Sequence, residues 1–138
     1  MTNKKTFDPN NPCLFCHPKP HEIIKETEHA LLITDSYPVS PGHCLVIPKR
    51  HIQTFFESSA EENMEFHQLI QHAKKWVEEN HKPDAYNIGC NNGVAAGQSV
   101  FHLHIHIIPR YIGDVENPKG GVRWVIPQNA SYQLPEVK

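Results

Sequence analysis

The sequence predicts an α+β protein, and two observations carry that prediction. Four short apolar segments have the length of strands, whereas only one longer segment, beginning near Ser58, has the spacing of an amphipathic helix. Loops rich in Pro, Gly and Ser connect the apolar segments, which favours antiparallel pairing of the strands. A chain of 138 residues without internal repeats is long enough to form one domain around its own core.

The strands are predicted from apolar segments that end at turn-forming residues. Their expected ranges are 28–34, 43–48, 85–90 and 102–108, the second ended by Pro48 and the last by Pro109. Residues 35–42 contain two prolines and a glycine and are expected to form the loop between the first two strands.

The single long helix has sequence signals at both ends. Ser58 with Glu61, or Ser59 with Glu62, forms a capping box at its start, and Pro83 stops its continuation. The expected buried face is formed by Phe66, Leu69, Ile70, Ala73, Trp76 and Val77. The expected solvated face is formed by Glu65, Gln68, His72, Lys75 and Glu79. The pattern predicts a helix that is buried on one side only.

Charge and apolar content exclude several classes of protein. The net charge is -2, and a chain without a basic excess is not expected to bind a long nucleic acid. The apolar runs are a few residues long, far below the ~20 residues that a membrane span needs. The polar start of the chain shows no secretory signal. We therefore expect a cytoplasmic protein with a flexible segment over residues 1–12 and no disulfides.

Two of the four cysteines, Cys13 and Cys16, form a Cys-x-x-Cys pair. Such a pair binds zinc or acts as a redox dithiol, and the prolines on either side of it disfavour the thioredoxin-like context. A structural zinc needs four ligands, and without a second pair the other two should be histidines. The best candidates are His51 and His102, with His17, His21 and His43 as substitutes. Cys44 and Cys90 stand singly in apolar segments and are expected to be small buried side chains.

Three histidines, His102, His104 and His106, alternate with apolar residues near the end of the chain. The apolar residues between and after them are Leu103, Ile105 and Ile107. In an extended strand, residues two apart share one face, so the histidines would form a row while the apolar residues point into the core. Because imidazole acts near neutral pH as nucleophile, proton carrier or metal ligand, the row indicates a functional site.

If His102 binds zinc, His104 and His106 remain for chemistry at a phosphorus atom. An unprotonated imidazole can attack an α-phosphate to give a phosphoramidate intermediate, which water then hydrolyses. We assign the attack to His104 and a hydrogen bond to the phosphate to His106. Two side chains and one flexible backbone position before the row would help to hold the phosphate: Gln98, Ser99 and Gly97.

The His-φ-His-φ-His-φ-φ motif of residues 102–108 resembles the signature of the histidine triad (HIT) superfamily. The residues that lead to it, Asn91 and Gly97-Gln98-Ser99-Val100-Phe101, are similar to the family's approach to the triad. An upstream block, which runs from Asp35 through Pro41-Gly42-His43 to His51, also resembles the family pattern. The similarity extends from about Cys13 to Arg110. The tail, with Pro109-Arg110-Tyr111-Ile112-Gly113-Asp114, Asn117-Pro118 and Gly120-Gly121-Val122-Arg123, resembles a zinc-containing bacterial-type branch, related to the Hint and Fhit branches.

The resemblance implies a role for each matching residue. His104 corresponds to the nucleophile that becomes nucleotidylated, and Asp35 to the acid that binds the ribose hydroxyls. The other phosphate or ribose contacts correspond to Asn91, Gln98, Ser99 and His106. The four ligands of one structural zinc per chain correspond to Cys13, Cys16, His51 and His102. Candidates for the base pocket are Phe7, Phe15, Leu31 and Ile33.

The family fold that the resemblance implies is an antiparallel sheet of about five strands with one long helix and a short helix, and its sheets join across a homodimer. We therefore expect a single domain over residues 13–138, with the tail from about residue 111 packed on the domain or on the partner. Arg110 or Arg123 would either reach substrate phosphate across the protomer boundary or have a purely structural role.

These correspondences imply a nucleotide hydrolase or nucleotidyl transferase that acts at the α-phosphate of nucleoside phosphoramidates or dinucleoside polyphosphates. A covalent nucleotidyl-His104 intermediate is expected, with water or inorganic phosphate as the acceptor and adenosine as the expected nucleoside. Two alternatives stay open. One is a nucleotide-binding sensor or adaptor with negligible catalysis, and the other is a metalloenzyme in which the three histidines of the row hold one catalytic metal.

Overall fold

The computed structural model describes residues 12–133 and contains a five-stranded antiparallel sheet with one long helix. The strands are β1 (Ile23–Glu26), β2 (Ala30–Thr34), β3 (Cys44–Pro48), β4 (Ala85–Gly89) and β5 (Ile105–Arg110). Their order across the sheet is β1-β2-β3-β5-β4, and every neighbouring pair is antiparallel. The helix α1 (Ala60–Asn80) connects β3 to β4, and short 3-10 turns such as Phe55–Glu57 supply the remaining helical elements. The expected fold class is confirmed.

Two expectations from the sequence concern membrane spans and a flexible first segment, and the structure addresses them only over residues 12–133. No helix within residues 12–133 is both long and apolar enough to cross a membrane. The segment expected to be flexible, residues 1–12, lies outside the described residues except for its last position, as does the end of the tail after residue 133.

The sheet has two apolar faces, and α1 packs on only one of them. That core joins α1 to the sheet residues Ala30, Leu32, Cys44, Val46, Ile105 and Ile107, together with Leu103. The other face, called the open face below, carries Leu31, Ile33, Leu45 and Ile47, with Phe15 and Ile23 packed against them. Directly paired residues share a face, so the pairing of His106 with Leu45 places His106 on the open face. Ile105 and Ile107 of β5 therefore face the core under α1 and His106 faces the other side, as the alternation in the sequence predicts.

The bounds of the histidine strand differ from the prediction. The hydrogen-bonded strand begins at Ile105, not at residue 102, and it continues through Pro109 to Arg110. Proline is accommodated because β3 pairs with β5 only as far as Ile107. The carbonyl of Pro109 points to that unpaired side, where it accepts a hydrogen bond of 2.6 Å from the Ser40 hydroxyl. A residue without an N–H group costs no strand hydrogen bond there.

The other strand bounds differ by one or two residues, and one strand was missed. The ladders begin at Ala30 rather than 28 and at Cys44 rather than 43, and β4 ends at Gly89 rather than 90. Sequence patterning did not indicate β1, because its four residues show two half-buried positions followed by two exposed ones instead of an alternation.

The start of α1 selects one of the two expected capping boxes. The Ser59 hydroxyl accepts from the Glu62 N–H at 3.0 Å, and the Glu62 carboxylate accepts from the Ser59 N–H at 2.8 Å. Glu62 is almost completely buried and also accepts two hydrogen bonds from the Arg50 guanidinium. Phe66, Leu69, Ala73 and Val77 form the buried face, while Ile70 and Trp76 are half-buried.

Glu65 corrects the expected solvated face of α1. Its side chain is only 14% exposed, because its carboxylate accepts hydrogen bonds from the His29 N–H at 2.7 Å, the His29 ring and the Thr27 hydroxyl. The carboxylate thereby ties the turn between β1 and β2 to the helix. Burial opposes ionisation of Glu65, but these hydrogen bonds outweigh it and lower its pKa, while the same contact raises the pKa of His29.

We expect Glu65→Gln to lower the urea midpoint most strongly at about pH 5–6.5, where carboxylate and imidazolium are both charged in the folded protein. The contribution of Glu65 is lost as the pH falls through its lowered folded-state pKa. The contribution of His29 is lost as the pH rises through its raised folded-state pKa. Urea unfolding at pH 6 and pH 9 measures the difference, with the exposed Glu79→Gln on the same helix as control. An equal effect of Glu65→Gln at both pH values would contradict the charge pairing.

The tail folds back along β4 on the open face. A side chain at Gly121, which has a φ of +51°, would lie 3.3 Å from the Asn87 amide, so the tail and β4 are in close contact there. Arg123 holds the next turn by donating to the carbonyls of Asn129 at 2.7 Å and Ala130 at 3.2 Å. The guanidinium also lies over the Tyr132 ring, 4.5 Å from its centre. In the described chain, the tail packs on its own domain.

Candidate active site and metal centre

Four side chains distant in sequence converge into one sulfur and nitrogen cluster. The pair Cys13 and Cys16 lies in the turn before β1, His51 follows β3, and His102 precedes β5. Their ligand atoms all lie within 4.8 Å of one another, with Cys16 Sγ 3.2 Å from His51 Nδ1 and 3.5 Å from His102 Nδ1. The substitutes considered from sequence, His17, His21 and His43, are outside this cluster.

The donor set fits a tetrahedral zinc ion. His102 is fully buried, and its Nε2 lies 2.8 Å from the Pro48 carbonyl, which can only accept, so Nε2 carries the proton. The lone pair of His102 Nδ1 therefore faces the two cysteine sulfurs. Two thiolates and two imidazoles with one ring held by a backbone carbonyl are a donor set typical of structural zinc. Cys44 is buried in the core and Cys90 is half-buried, both away from this cluster.

His104 is held in one tautomer by the backbone. Its ring is 8% exposed, and its Nδ1 lies 2.8 Å from the carbonyl of His102. Because a carbonyl accepts, Nδ1–H donates and Nε2 keeps its lone pair. The Phe15 ring packs on the imidazole with 4.9 Å between ring centres. The geometry presents an unprotonated nitrogen at the open face, as a nucleophile requires.

His106 receives a hydrogen bond from a second histidine. The Val39 N–H donates to His43 Nδ1 at 3.1 Å, which leaves the proton of the neutral ring on His43 Nε2. That Nε2–H lies 3.0 Å from His106 Nδ1 and 3.3 Å from an Asp35 carboxylate oxygen. His106 Nδ1 therefore accepts, and its own proton lies on Nε2. His106 is a neutral N–H donor next to His104, with 5.1 Å between the ring centres.

Burial keeps both of these rings neutral. Burial, followed by the nearby His104 and His43, lowers the pKa of His106 to about 4. Burial also lowers the pKa of His43, and the Asp35 carboxylate partly opposes that shift. Desolvation disfavours an imidazolium, so neither His43 nor His106 carries a positive charge at neutral pH.

Asp35, His43 and His106 also lie close enough together to be considered as metal ligands. The hydrogen bond from Val39 argues against this interpretation, since it places the His43 proton on the nitrogen that would have to bind the metal. The three histidines of the row do not form one ligand set either. His102 faces the cysteines, whereas Nδ1 of His104 faces a carbonyl and Nδ1 of His106 faces His43. The geometry favours a hydrogen-bond relay.

The loop before the row is braced by Gln98. Its buried amide accepts from the Gly93 N–H at 2.8 Å and donates to the carbonyls of Gln53 at 2.8 Å and Val100 at 3.1 Å. Gly97 has a φ of +95°, a left-handed conformation that favours glycine. The next side chain, Ser99, is exposed. The structure thus shows Gln98 in contact with the loop backbone and Ser99 open to a ligand.

The remaining candidates fall into two groups. Asn91 is half-buried and lines a cavity together with His106. Arg110 donates two hydrogen bonds to the Asp114 carboxylate and one to Asn87, and the donors of Arg123 go to the tail carbonyls described above. Both arginines have structural partners within their own chain.

His43 is the site residue whose contacts sequence reasoning missed. It was considered only as a substitute zinc ligand, although it stands in the Pro41-Gly42-His43 part of the block that resembles the family. The available signal was its position directly before a buried strand, two residues from Leu45, which pairs with the third histidine of the row. The contact with His106 depends on the path of the loop over residues 35–42, which periodicity does not describe.

A Cys2His2 cluster lies beside a histidine whose tautomer is fixed by a backbone carbonyl and a second histidine that accepts from His43, and this arrangement on an antiparallel sheet defines a class of histidine-rich site proteins. The HIT domain model matches residues 17–113, and the chain belongs to this family.

Relatives and solved structures agree with that assignment. The chain is 44% identical over 115 residues to an uncharacterised HIT-like protein of Methanocaldococcus jannaschii, covering 79% of this chain and 87% of that protein. It is 38% identical over 96 residues to a bis(5'-adenosyl)-triphosphatase of Dictyostelium discoideum, covering 70% and 64%. A zinc-bound histidine triad family protein of Mycobacterium smegmatis superposes with a TM-score of 0.66 and 36% identity, covering 75% and 78%.

Proposed function

We propose that this protein is a nucleotide hydrolase or nucleotidyl transferase that cleaves at the α-phosphate of nucleoside phosphoramidates or dinucleoside polyphosphates. The observation that carries the proposal is the pair of fixed tautomers on the open face. His104 presents a lone pair on Nε2, and His106 beside it presents an N–H donor. Family membership and the named activity of the Dictyostelium relative support the substrate class.

In the first step, His104 Nε2 attacks the α-phosphorus and forms a nitrogen–phosphorus bond. The bond to the leaving group breaks, and the leaving group takes its electron pair and a proton from water, with the exposed Ser99 hydroxyl hydrogen-bonded to the departing atom. In the second step, water attacks the same phosphorus, the nitrogen–phosphorus bond breaks and the electron pair returns to Nε2. The proton that the attacking water loses neutralises the hydroxide left by the first step. The product is a nucleoside monophosphate, and His104 regains its starting form.

His106 stabilises the phosphate as charge builds on its oxygens. The ring donates from Nε2 because its Nδ1 accepts from His43, and the lowered pKa of His106 keeps the ring a neutral donor through the neutral range. His43 and Val39 act through this ring, since they decide which of its nitrogens carries the proton. Gln98 acts through the loop that it braces, which positions Ser99 and the neighbouring N–H groups.

The nucleoside would lie on the apolar part of the open face. Phe15, Leu31 and Ile33 belong to one apolar cluster there. Leu31 and Ile33 are buried, so the half-buried Phe15, which also touches the His104 ring, is the member that would contact an adenine base. Asp35 follows β2 at the edge of this cluster and would bind the ribose hydroxyls. The fourth candidate for the base pocket, Phe7, lies outside the described residues.

Cys13, Cys16, His51 and His102 would hold one structural zinc ion, as their donor set and the similarity to the zinc-bound protein of Mycobacterium smegmatis support. These four residues would thereby join the turn before β1, the end of β3 and the residue whose carbonyl orients His104. The proposal places the protein in the cytoplasm as a homodimer. β4, which pairs only with β5 among the described strands, offers an edge for a second sheet.

Intact mass spectrometry after incubation with adenosine 5′-phosphoramidate and an acid-free quench tests the proposal. We expect a population of protein that carries one adenylyl group, together with adenosine monophosphate in solution. The exposed His67→Ala should carry the same group, since His67 lies on α1 away from the open face. Nucleotide binding without adduct or product would reject the hydrolase and favour the sensor or adaptor.

A further inference from the structure

A cavity of about 450 Å³ opens on the open face next to His106. Along the row, Phe15 contacts His104, whereas this cavity begins at His106 and continues to Ile108. Its polar groups include the amides of Asn87 and Asn91. The cavity therefore lies on the side of the phosphate position opposite to the proposed base surface, where a leaving group would be.

The outer wall of this cavity is apolar and built by loops. Val39 of the loop before β3 and Val122 and Val125 of the tail line it, and their side chains are 70%, 63% and 76% exposed. The tail part of the wall is a folded element, held by Arg123 on the carbonyls of Asn129 and Ala130. Three exposed valines around one concavity are apolar surface that a ligand can remove from water.

The cavity offers no cationic side chain to a negatively charged leaving group. No Lys, Arg, Asp or Glu side chain is among the described residues that line it. Arg110 lines the adjoining groove, but both of its terminal edges are used by Asp114 and Asn87. His43 and His106 are kept neutral by burial. A polyphosphate tail would lose hydration there without gaining a cation, which is costly.

From this wall we infer that the leaving group is uncharged and largely apolar, and that Val122 and Val125 select it. This inference rests on the proposed function, because it names the substrate class for the same site. The substrate is then a nucleoside 5′-phosphoramidate of an aromatic or branched alkyl amine. The phosphorus–nitrogen bond to that amine breaks as the bond to His104 forms, and the amine leaves with the electron pair and a proton from water.

Two adenosine 5′-phosphoramidates of nearly equal shape test this selection, one made from benzylamine and one from 4-(aminomethyl)benzoate. We expect the wild-type protein to have a kcat/KM at least about tenfold higher for the benzylamine compound, because the carboxylate loses hydration against valine. Val125→Lys should bring this ratio close to one, chiefly by raising kcat/KM for the carboxylate compound. Met64→Lys, which adds the same charge at an exposed position on α1, should leave the ratio unchanged.

The outcomes separate the two proposals. If both compounds form the adenylyl adduct at equal rates in wild type, or if Val125→Lys leaves the ratio unchanged, the selection by the valine wall is wrong. A change of oligomeric state in Val125→Lys without a change of ratio also overturns it, because the valines then belong to a protein interface. If neither compound forms an adduct, the proposed function itself fails. Val122→Lys repeats the test should Val125→Lys not fold.

Discussion

Replacing His104 by alanine is expected to reduce turnover of an adenosine 5′-phosphoramidate by about four orders of magnitude. The side chain supplies the atom that bonds to phosphorus, and no other described imidazole presents a lone pair at the same point of the open face. Nδ1 of His106 accepts from His43, and Nδ1 of His102 faces the cysteine pair. Steady-state release of adenosine monophosphate measures the loss, and the adenylyl adduct should disappear with it.

The matched control is His67→Ala, which removes the same group from an exposed position of α1. It should keep the wild-type rate and adduct. Nucleotide affinity of His104→Ala, measured by calorimetry with adenosine monophosphate, should stay within a fewfold of wild type, since Asp35 and the base surface are intact. Turnover at the wild-type rate in His104→Ala would show that attack comes directly from water.

Cys16→Ser is expected to lower stability more than any other single change at the site. An ion that binds only the folded state stabilises it by roughly 4 kcal/mol when free metal is a thousandfold above its dissociation constant. Losing one buried thiolate removes that contribution and leaves His102 facing a weaker ligand. Thermal unfolding with and without a chelator, together with metal content per chain, measures the effect.

The readout that separates a structural from a catalytic ion is the adduct on His104. The proton on His104 Nδ1 is set by a backbone carbonyl, so Cys16→Ser protein that is still folded at low temperature should form the adduct. Cys90→Ser, at a half-buried cysteine outside the cluster, should change neither metal content nor stability by a comparable amount. Chelation that leaves the fold intact but abolishes the adduct would favour a catalytic metal.

Residue types and spacing were sufficient for the parts of the site that depend on short-range rules. The need of zinc for four ligands selected His51 and His102 to join the cysteine pair, and the structure brings these four side chains together. Period-two alternation placed Leu103, Ile105 and Ile107 in the core although two of the histidines precede the strand ladder. Both rules use only residue types and their spacing, which the sequence shows directly.

The rest depends on where loops cross the sheet. Nothing in the spacing indicated that Val39 would donate to His43, and without that bond the tautomer of His106 is open. Glu65 was expected in solvent because helical periodicity does not describe the turn at Thr27 and His29 that reaches it. Arg110 likewise finds Asp114 in a tail without helical periodicity, so the sequence leaves open whether its charge serves the substrate or the structure.

Position 102 performs two tasks through two different parts of the residue. The imidazole faces the cysteine pair of the proposed metal site, while the carbonyl of the same residue orients His104. Every amino acid has that carbonyl, so a substitution at position 102 would remove a ligand of the proposed metal site without disturbing His104, provided the main chain keeps its path. The two tasks are therefore separable by a single substitution, and a comparison of side chains alone would overlook the one that the backbone performs.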